Sequence, residues 1–247
     1  MNKLTMLVSV SILTGCVTAS QLQQASVGEF AKMREQLTIS TNTRDRAYVQ
    51  CIADSIIAQL GQPYASYDWD VELFDEKEKN AFAMPGGQIG IFTGIFEVAQ
   101  TQDQLAAVMG HEIAHVTLGH SLKRANSQTA ASLGVMVGSI ASEIVRENVG
   151  LIMLGAQVGL LLPFSRSQES EADLAGLELM ARAGFRPDAS IDLWRNMAAS
   201  KTSETPGFLS SHPSSSDRIE SLAQQVAVVN PQYQQARAKG LRPACSR

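Results

Sequence analysis

The chain has 247 residues, enough for one large domain or two small ones with a well-buried core. Hydrophobic residues make up 45% and charged residues 18%, a composition that is typical of globular proteins and argues against a disordered chain. The net charge of -4 argues against a nucleic-acid partner, because neutralising phosphates requires a basic surface.

The N-terminus has the pattern of a secretion signal. A lysine precedes an apolar stretch from Leu4 to Leu13, which is too short to cross a membrane as a stable helix. The stretch ends in Leu-Thr-Gly-Cys, which resembles the lipobox of bacterial lipoproteins, where the cysteine is acylated and begins the mature chain. We therefore expect a signal peptide over residues 1–15 and a lipid anchor on Cys16; a frayed helix with a chance cysteine is the alternative. Val17 stands where an inner-membrane retention signal usually has aspartate, so the resemblance favours the outer membrane of a Gram-negative bacterium, facing the periplasm.

The two remaining cysteines are far apart in the sequence. The compartment implied by the lipobox permits disulfides, so a bond between Cys51 and Cys245 is expected, which would tie the C-terminal tail to an early helix. Two free thiols are the alternative, because sequence does not reveal geometry.

The first part of the mature chain predicts a tether, a helix and two strands. A polar, Gln-rich tether covers about Ser20 to Gln24, within an N-terminal segment of residues 16–42. A helix from Thr43 to Leu60 is capped by Asn42 or Thr43, and its apolar stripe is Val49, Ile52, Ile56 and Leu60. Strands are predicted from Trp69 to Phe74 and, after a Pro-Gly-Gly turn, from Gln88 to Thr93.

The rest of the chain is predicted to be helical. Thr101 caps a helix through Leu118, and further helices cover Ser167 to Ala183, Pro187 to Ala199 and Ser214 to Val229. The apolar segment from Ser127 to Pro163 has an uninterrupted part, residues 149–162, shorter than the about 20 residues that span a bilayer, so a packed helical hairpin is favoured over a membrane hairpin. The predicted fold class is α+β, mostly helical with a small β-sheet, and residues 43–247 form one domain.

The chemistry centres on the motif His-Glu-Ile-Ala-His at residues 111–115. In a helix, residues four apart project from one face, so His111 and His115 can bind one metal ion. Zinc accepts neutral imidazole nitrogens, and Glu112 can act as a base toward a water at the metal. A surface helix with incidental histidines is the alternative.

A catalytic zinc ion needs a third protein ligand. His120 follows His115 by five residues, whereas metzincins place the third histidine six residues later, so His120 is assigned a supporting or packing role. Glu169 and Asp173 share one face of the next predicted helix, while Glu171 points elsewhere. Glu169 can therefore bind the metal and Asp173 can receive the spare N–H of a ligating histidine; acids that merely favour a helix N-terminus are the alternative.

These motifs together resemble the gluzincin zinc metalloproteases, the family of HtpX and the CAAX prenyl proteases, and most closely their periplasmic LoiP- and BepA-like lipoprotein members. Further matching segments are Asn80 to Gly87 and His212-Pro213 followed by Arg218, and the resemblance covers about Thr43 to Ala227. It implies a gluzincin metalloprotease domain with an HExxH active-site helix.

The resemblance assigns roles to individual residues. It implies one zinc ion per chain bound by His111, His115 and Glu169, with Glu112 as the catalytic base and Asp173 as an acid supporting a ligand. His212 either stabilises the transition state or serves as an extra ligand that keeps the enzyme shut; an exposed loop histidine is the alternative for this residue. Arg218 either stabilises developing negative charge or forms an ordinary ion pair.

The function implied is a zinc-dependent endopeptidase of the cell envelope that hydrolyses unfolded or misassembled proteins in quality control. The strand from Gln88 to Phe92 is expected to offer an exposed edge to an extended substrate, and the hairpin from Ser127 to Pro163 to cover the cleft. The alternatives are a chaperone-like outer-membrane assembly factor with latent protease activity and an inert lipoprotein. Expected partners are unfolded or misfolded envelope proteins, the outer membrane through the lipid anchor, and the assembly machinery or another envelope protease.

Overall fold

The computed structural model describes residues 17–127, 163–200, 207–212 and 216–247. The predicted signal peptide, the lipid-anchor residue Cys16 and Pro213 lie outside these residues. So does the predicted hairpin from Ser127 to Pro163, apart from its two end residues.

The described residues form a mostly helical α+β fold with a small sheet, which confirms the predicted fold class. The three strands are β1 Asp70–Phe74, β2 Ala81–Ala83 and β3 Gln88–Phe92. The described residues include the α-helices α1 Ala19–Gln36, α2 Thr43–Ile57, α3 Gln102–Thr117, α4 Arg166–Arg182, α5 Ala189–Ala199, α6 Phe208–Ser211 and α7 Ser216–Ala238. Residues 120–127 are also helical, and short 3-10 helices cover Tyr64–Ser66 and Thr93–Glu97. None of the described helices is long and apolar enough to cross a membrane.

The sheet has the order β1-β3-β2, with β1 parallel and β2 antiparallel to β3. β3 is thus the central strand and is buried along its whole length. The prediction that Gln88 to Phe92 offers an exposed edge is therefore wrong. The sequence does not predict the strand that covers β3, because β2 has three residues and is too short to show an alternating pattern. Among the described strands, β1 and β2 each have one strand neighbour, but a β-bridge from Ile39 to Phe74 covers β1, so β2 provides the open edge.

The polar segment from Ser20 to Gln24, for which the sequence predicts a tether, instead forms the first turns of α1. Thr18 and Gln21 form a capping box at its start, so the backbone donors of the first turn are satisfied. Leu22, Ser26 and Phe30 follow at helical spacing and are buried. α1 therefore packs against the sheet, where Phe30 meets Phe74 and Phe82 edge-on with ring centroids 6.0 and 6.3 Å apart.

The core is built around α3, in which every residue from Gln104 to Val116 is buried. α3 crosses α4 at two glycines that nearly touch. A methyl group added to Gly110 would lie 2.8 Å from the carbonyl oxygen of Gly176, and one added to Gly176 would lie 2.8 Å from the backbone nitrogen of His111. Because neither position has room for a side chain, the two helices approach closely enough to bring the acidic residues of α4 beside the histidines of α3.

The C-terminal tail returns to the start of the domain. α7 runs through Pro231 to Ala238, beyond the predicted end at Val229. A disulfide joins Cys51 of α2 to Cys245, with their Cα atoms 5.8 Å apart. Arg247 continues the attachment, because its guanidinium donates to the carboxylate of Asp45 at 2.8 Å.

Candidate metal centre and active site

The HExxH segment lies in the C-terminal half of α3. Thr101 and Gln104 form a capping box that begins the helix, and the apolar residues that follow bury it in the core. His111, Glu112 and His115 are all at most 4% exposed, so the motif is not on a surface helix. The imidazoles project from one face, as their four-residue spacing predicts.

Four side chains converge at this face: His111, His115, Glu169 and His212. Nε2 of His111 lies 3.0 Å from Nε2 of His115 and 3.1 Å from Nδ1 of His212. The Glu169 carboxylate lies 3.6 Å from His111 and 3.5 Å from His115. Ligand atoms about 2.0 Å from a tetrahedral zinc ion are separated by roughly 3.3 Å, so the observed spacings fit one zinc ion.

The rings of His111 and His115 also have polar partners on the side that faces away from the centre of the cluster. Nδ1 of His111 lies 3.0 Å from Oδ1 of Asp173. Nδ1 of His115 lies 3.0 Å from Nδ1 of His120. Burial lowers the pKa of His115 well below its ordinary value, which favours the neutral ring. The neutral imidazole is the form that binds zinc.

Arg218 from α7 holds the two carboxylates of α4. It donates to Asp173 through Nε at 2.8 Å and Nη2 at 2.7 Å, and to Glu169 through Nη1 at 2.7 Å. Its guanidinium also lies over the Trp194 ring, 3.6 Å from the centroid. Burial raises the pKa of Glu169, but hydrogen bonds from His115 and His212 outweigh it, and the net effect is a pKa below its usual range. Arg218 is thus a buried partner of the ligand carboxylates, a stronger arrangement than a surface ion pair.

Glu112 is aimed into the same site. Its Oε1 atom is buried, accepts no hydrogen bond from the described residues, and lies 3.3 Å from Nε2 of His212. Burial raises the pKa of this carboxyl group, while His212 and His111 lower it, and the backbone of Ala83 on β2 also contacts it. A buried carboxylate with a free oxygen beside a metal centre has the position that a general base requires.

His212 is placed inside the donor set rather than on a surface loop. It is 3% exposed and stacks on Phe208 with ring centroids 4.4 Å apart. Its Nδ1 atom lies 2.9 Å from Oε1 of Glu169. The imidazole therefore fills the space between the metal ligands and Glu112.

His120 and Glu171 form a chain that leads outward from His115. Nε2 of His120 lies 3.3 Å from Oε2 of Glu171, while its other ring nitrogen faces His115. His120 is fully buried, and the Glu171 side chain is 50% exposed. Glu171 is thus outside the ligand set, where its helical position predicts it, but it contacts the residue that supports His115.

Two residues of the site have no signal in the sequence. Phe164 stacks on His115 with ring centroids 3.8 Å apart, and the guanidinium of Arg124 lies 3.8 Å from the Phe164 centroid. Burial lowers the pKa of Arg124 to about 10, and the charges of Glu112 and Glu169 oppose that effect. No motif links these two positions, because they are brought together by the tertiary fold alone.

The fold and site define a metallopeptidase of the HExxH type with a glutamate on a second helix. Comparison with protein families matches residues 43–226 to peptidase family M48, and the chain belongs to this family. The predicted gluzincin membership and the zinc cofactor are thereby confirmed.

The chain is also similar to individual curated proteins. It is 35% identical to the mitochondrial metalloendopeptidase OMA1 of Schizosaccharomyces pombe over 177 residues, covering 71% of this chain and 51% of that protein. It is 32% identical to the putative beta-barrel assembly-enhancing protease of Vibrio cholerae over 156 residues, covering 60% of this chain and 32% of that protein. With the corresponding Yersinia pestis protein the identity is 26% over 230 residues, or 87% of this chain and 46% of that protein. The chain thus spans about half or less of the length of these relatives.

Proposed function

We propose that this protein is a zinc-dependent endopeptidase. The observation that carries the proposal is the buried Oε1 atom of Glu112, which accepts no hydrogen bond from the described residues and lies beside the converged metal ligands. His111, His115 and Glu169 would hold the zinc ion, which when bound supplies a Lewis acid for the carbonyl and acidifies water. Glu112 accepts a proton from the attacking water and passes it to the leaving amine nitrogen. Asp173 and Arg218 keep the ligands oriented.

A substrate peptide binds along β2 in this proposal. The backbone groups of Asn80 and Met84 bond to β3, so those of the alternate residue Ala83 face away from it, and the Ala83 backbone contacts Glu112. An extended peptide can add there through main-chain hydrogen bonds, which require an unfolded segment and tolerate many side chains. This supports unfolded or misassembled proteins as the substrate class.

The cell envelope is the proposed location. The lipobox-like sequence that ends at Cys16 supports a lipid anchor in the outer membrane and a periplasmic catalytic domain. Relatives named beta-barrel assembly-enhancing proteases support a role in envelope quality control, alone or with the assembly machinery or another envelope protease. The OMA1 relatives are mitochondrial, so the shared feature is the peptidase domain rather than the compartment.

A second candidate function is an outer-membrane assembly factor whose protease activity is latent. The position of His212 favours it, because Nδ1 lies among the metal ligands and Nε2 lies 3.3 Å from Glu112. In this arrangement the imidazole occupies the place that water and substrate carbonyl need. Catalysis then requires the segment 207–212 to move away, and His212 is free to hold the oxyanion once it has moved.

One experiment addresses both functions. Casein hydrolysis and zinc stoichiometry are measured for the parent protein, Glu112→Gln and His212→Ala. We expect Glu112→Gln to keep zinc and lose about 100-fold or more of the activity, because the general base is removed while the ligands stay. Unchanged hydrolysis by this variant would refute the endopeptidase assignment. For a latent enzyme His212→Ala increases hydrolysis, whereas an oxyanion role makes the same variant slower.

A further inference from the structure

A cavity lies beside the metal-binding helix, between α3, α1 and the loop that precedes β1. It has a volume of about 90 Å³ and is partly open to solvent. Its wall is mostly apolar and aromatic, with Leu22, Tyr64, Tyr67, Pro85, Val116 and Leu122 among the lining residues.

α1 forms one wall of this cavity and is fixed in place by polar contacts. Nε2 of Gln23 donates to the hydroxyl oxygen of Tyr67. The backbone nitrogen of Gly86, in the turn after β2, donates to Oγ of Ser26 at 2.9 Å. α1 lies before residues 43–226, the part of the chain that matches the family.

The cavity adjoins the catalytic cleft. Ser121 lines both the cavity and the cleft that contains Glu112 and β2, and the metal-ligand candidate His115 also lines the cavity. Pro85 lines the cavity and follows the last residue of β2, Ala83, by two positions. A peptide paired with β2 therefore runs from Glu112 toward Pro85, which lines the cavity.

We propose that this cavity is a subsite for an apolar substrate side chain located two to three residues N-terminal to the scissile bond. The inference rests on the proposed endopeptidase activity. Antiparallel pairing is the more stable arrangement per residue, and it places the N-terminal part of the peptide at the Pro85 end of β2. Ala83, which contacts Glu112, and Pro85, which lines the cavity, are two residues apart. Because a paired strand advances by about 3.4 Å per residue, the side chain that reaches the cavity lies two to three residues from the scissile bond. Leucine, isoleucine, methionine and phenylalanine suit the lining, which includes no aspartate, glutamate, lysine or arginine among the described residues.

The test uses the zinc-loaded full-length protein and two peptides. One carries leucine at the second and third positions before the scissile bond, and the other carries glycine at both. We expect the parent to favour the leucine peptide in kcat/KM by at least about tenfold. Leu122→Trp fills the cavity and is expected to abolish this preference. Lys123→Trp is the matched control, because Lys123 is exposed on the same helix, does not line the cavity, and should leave the preference intact.

The outcomes separate this inference from the proposed function. Equal hydrolysis of both peptides by the parent, or a preference that survives in Leu122→Trp, overturns the subsite. If neither peptide is hydrolysed, the endopeptidase proposal fails. The subsite is then tested by measuring the affinity of the Glu112→Gln protein for each peptide. Tighter binding of the leucine peptide by about tenfold, lost when Leu122→Trp is added, supports the subsite, whereas equal affinities reject it.

Discussion

Glu169 and Glu171 are two residues apart on α4, yet their side chains have different surroundings. Glu169 is buried among histidines and Arg218, whereas the Glu171 side chain is half exposed and contacts His120. Any effect of Glu171 on the metal must therefore pass through His120 and His115. The pair offers a direct way to separate a ligand from a residue that supports one.

We expect Glu169→Ala to lose bound zinc and Glu171→Ala to retain most of it. Removing a ligand leaves the site incomplete, while removing a supporting partner lowers metal affinity by about tenfold, the lower end of the range for such residues. Zinc content after dialysis against graded chelator measures the difference. A greater loss in Glu171→Ala than in Glu169→Ala would overturn the ligand assignment.

At the residue scale, the sequence reveals the ligands that depend on local helical spacing. His111 and His115 share a face because they are one turn apart, and the same spacing selects Glu169 and Asp173 over Glu171. Phe164 and Arg124 follow no such rule, because their contacts with each other and with His115 arise from the tertiary fold. The position of His212 between the metal ligands and Glu112 likewise depends on where the segment 207–212 packs.

At the scale of elements, the helices with strong caps and apolar periodicity agree best with prediction. Thr101 and the apolar pattern after it predict α3 almost to the residue. The sequence does not predict α1, because this helix is polar and buries few residues. It does not predict β2, because three residues are too few to show an alternating pattern. The close contact between Gly110 and Gly176 is also invisible locally, since a glycine inside a helix does not identify its partner.

The integration of α1 with the domain is testable through Phe30. This side chain is 1% exposed and packs against the aromatic residues of the sheet. Phe30→Ala is expected to lower the free energy of unfolding by about 3–5 kcal/mol, because it leaves a cavity under α1. Urea denaturation provides the measurement. Val27→Ala is the matched control on the same helix, where the side chain is 54% exposed and the change should be small. An effect of Phe30→Ala no greater than that of the control would indicate that α1 behaves as a tether.

At the scale of the whole molecule, the candidate metal centre joins three separate parts of the chain. α3 supplies two histidines, α4 supplies Glu169, and the segment 207–212 supplies His212, while Arg218 of α7 holds the carboxylates from behind. These parts are brought together by the crossing of α3 and α4 and by the packing of α7. The stability of the fold and occupation of the site are therefore thermodynamically linked, because an ion that binds the folded state alone stabilises it.

Chelation of the metal is expected to lower the melting temperature of the parent protein. At a free zinc concentration about 1,000-fold above Kd the bound ion contributes about 4 kcal/mol, and for a chain of this size each kcal/mol corresponds to about 2–4 °C. The shift should be about 8–16 °C in calorimetry with and without chelator. Glu112→Gln keeps every ligand and should show the same shift. His111→Ala should melt at one temperature under both conditions, because without that ligand there is little bound ion to remove. A parent protein whose melting temperature does not respond to chelator would contradict the link between the metal centre and the fold, since the ligands come from elements that only the folded chain brings together.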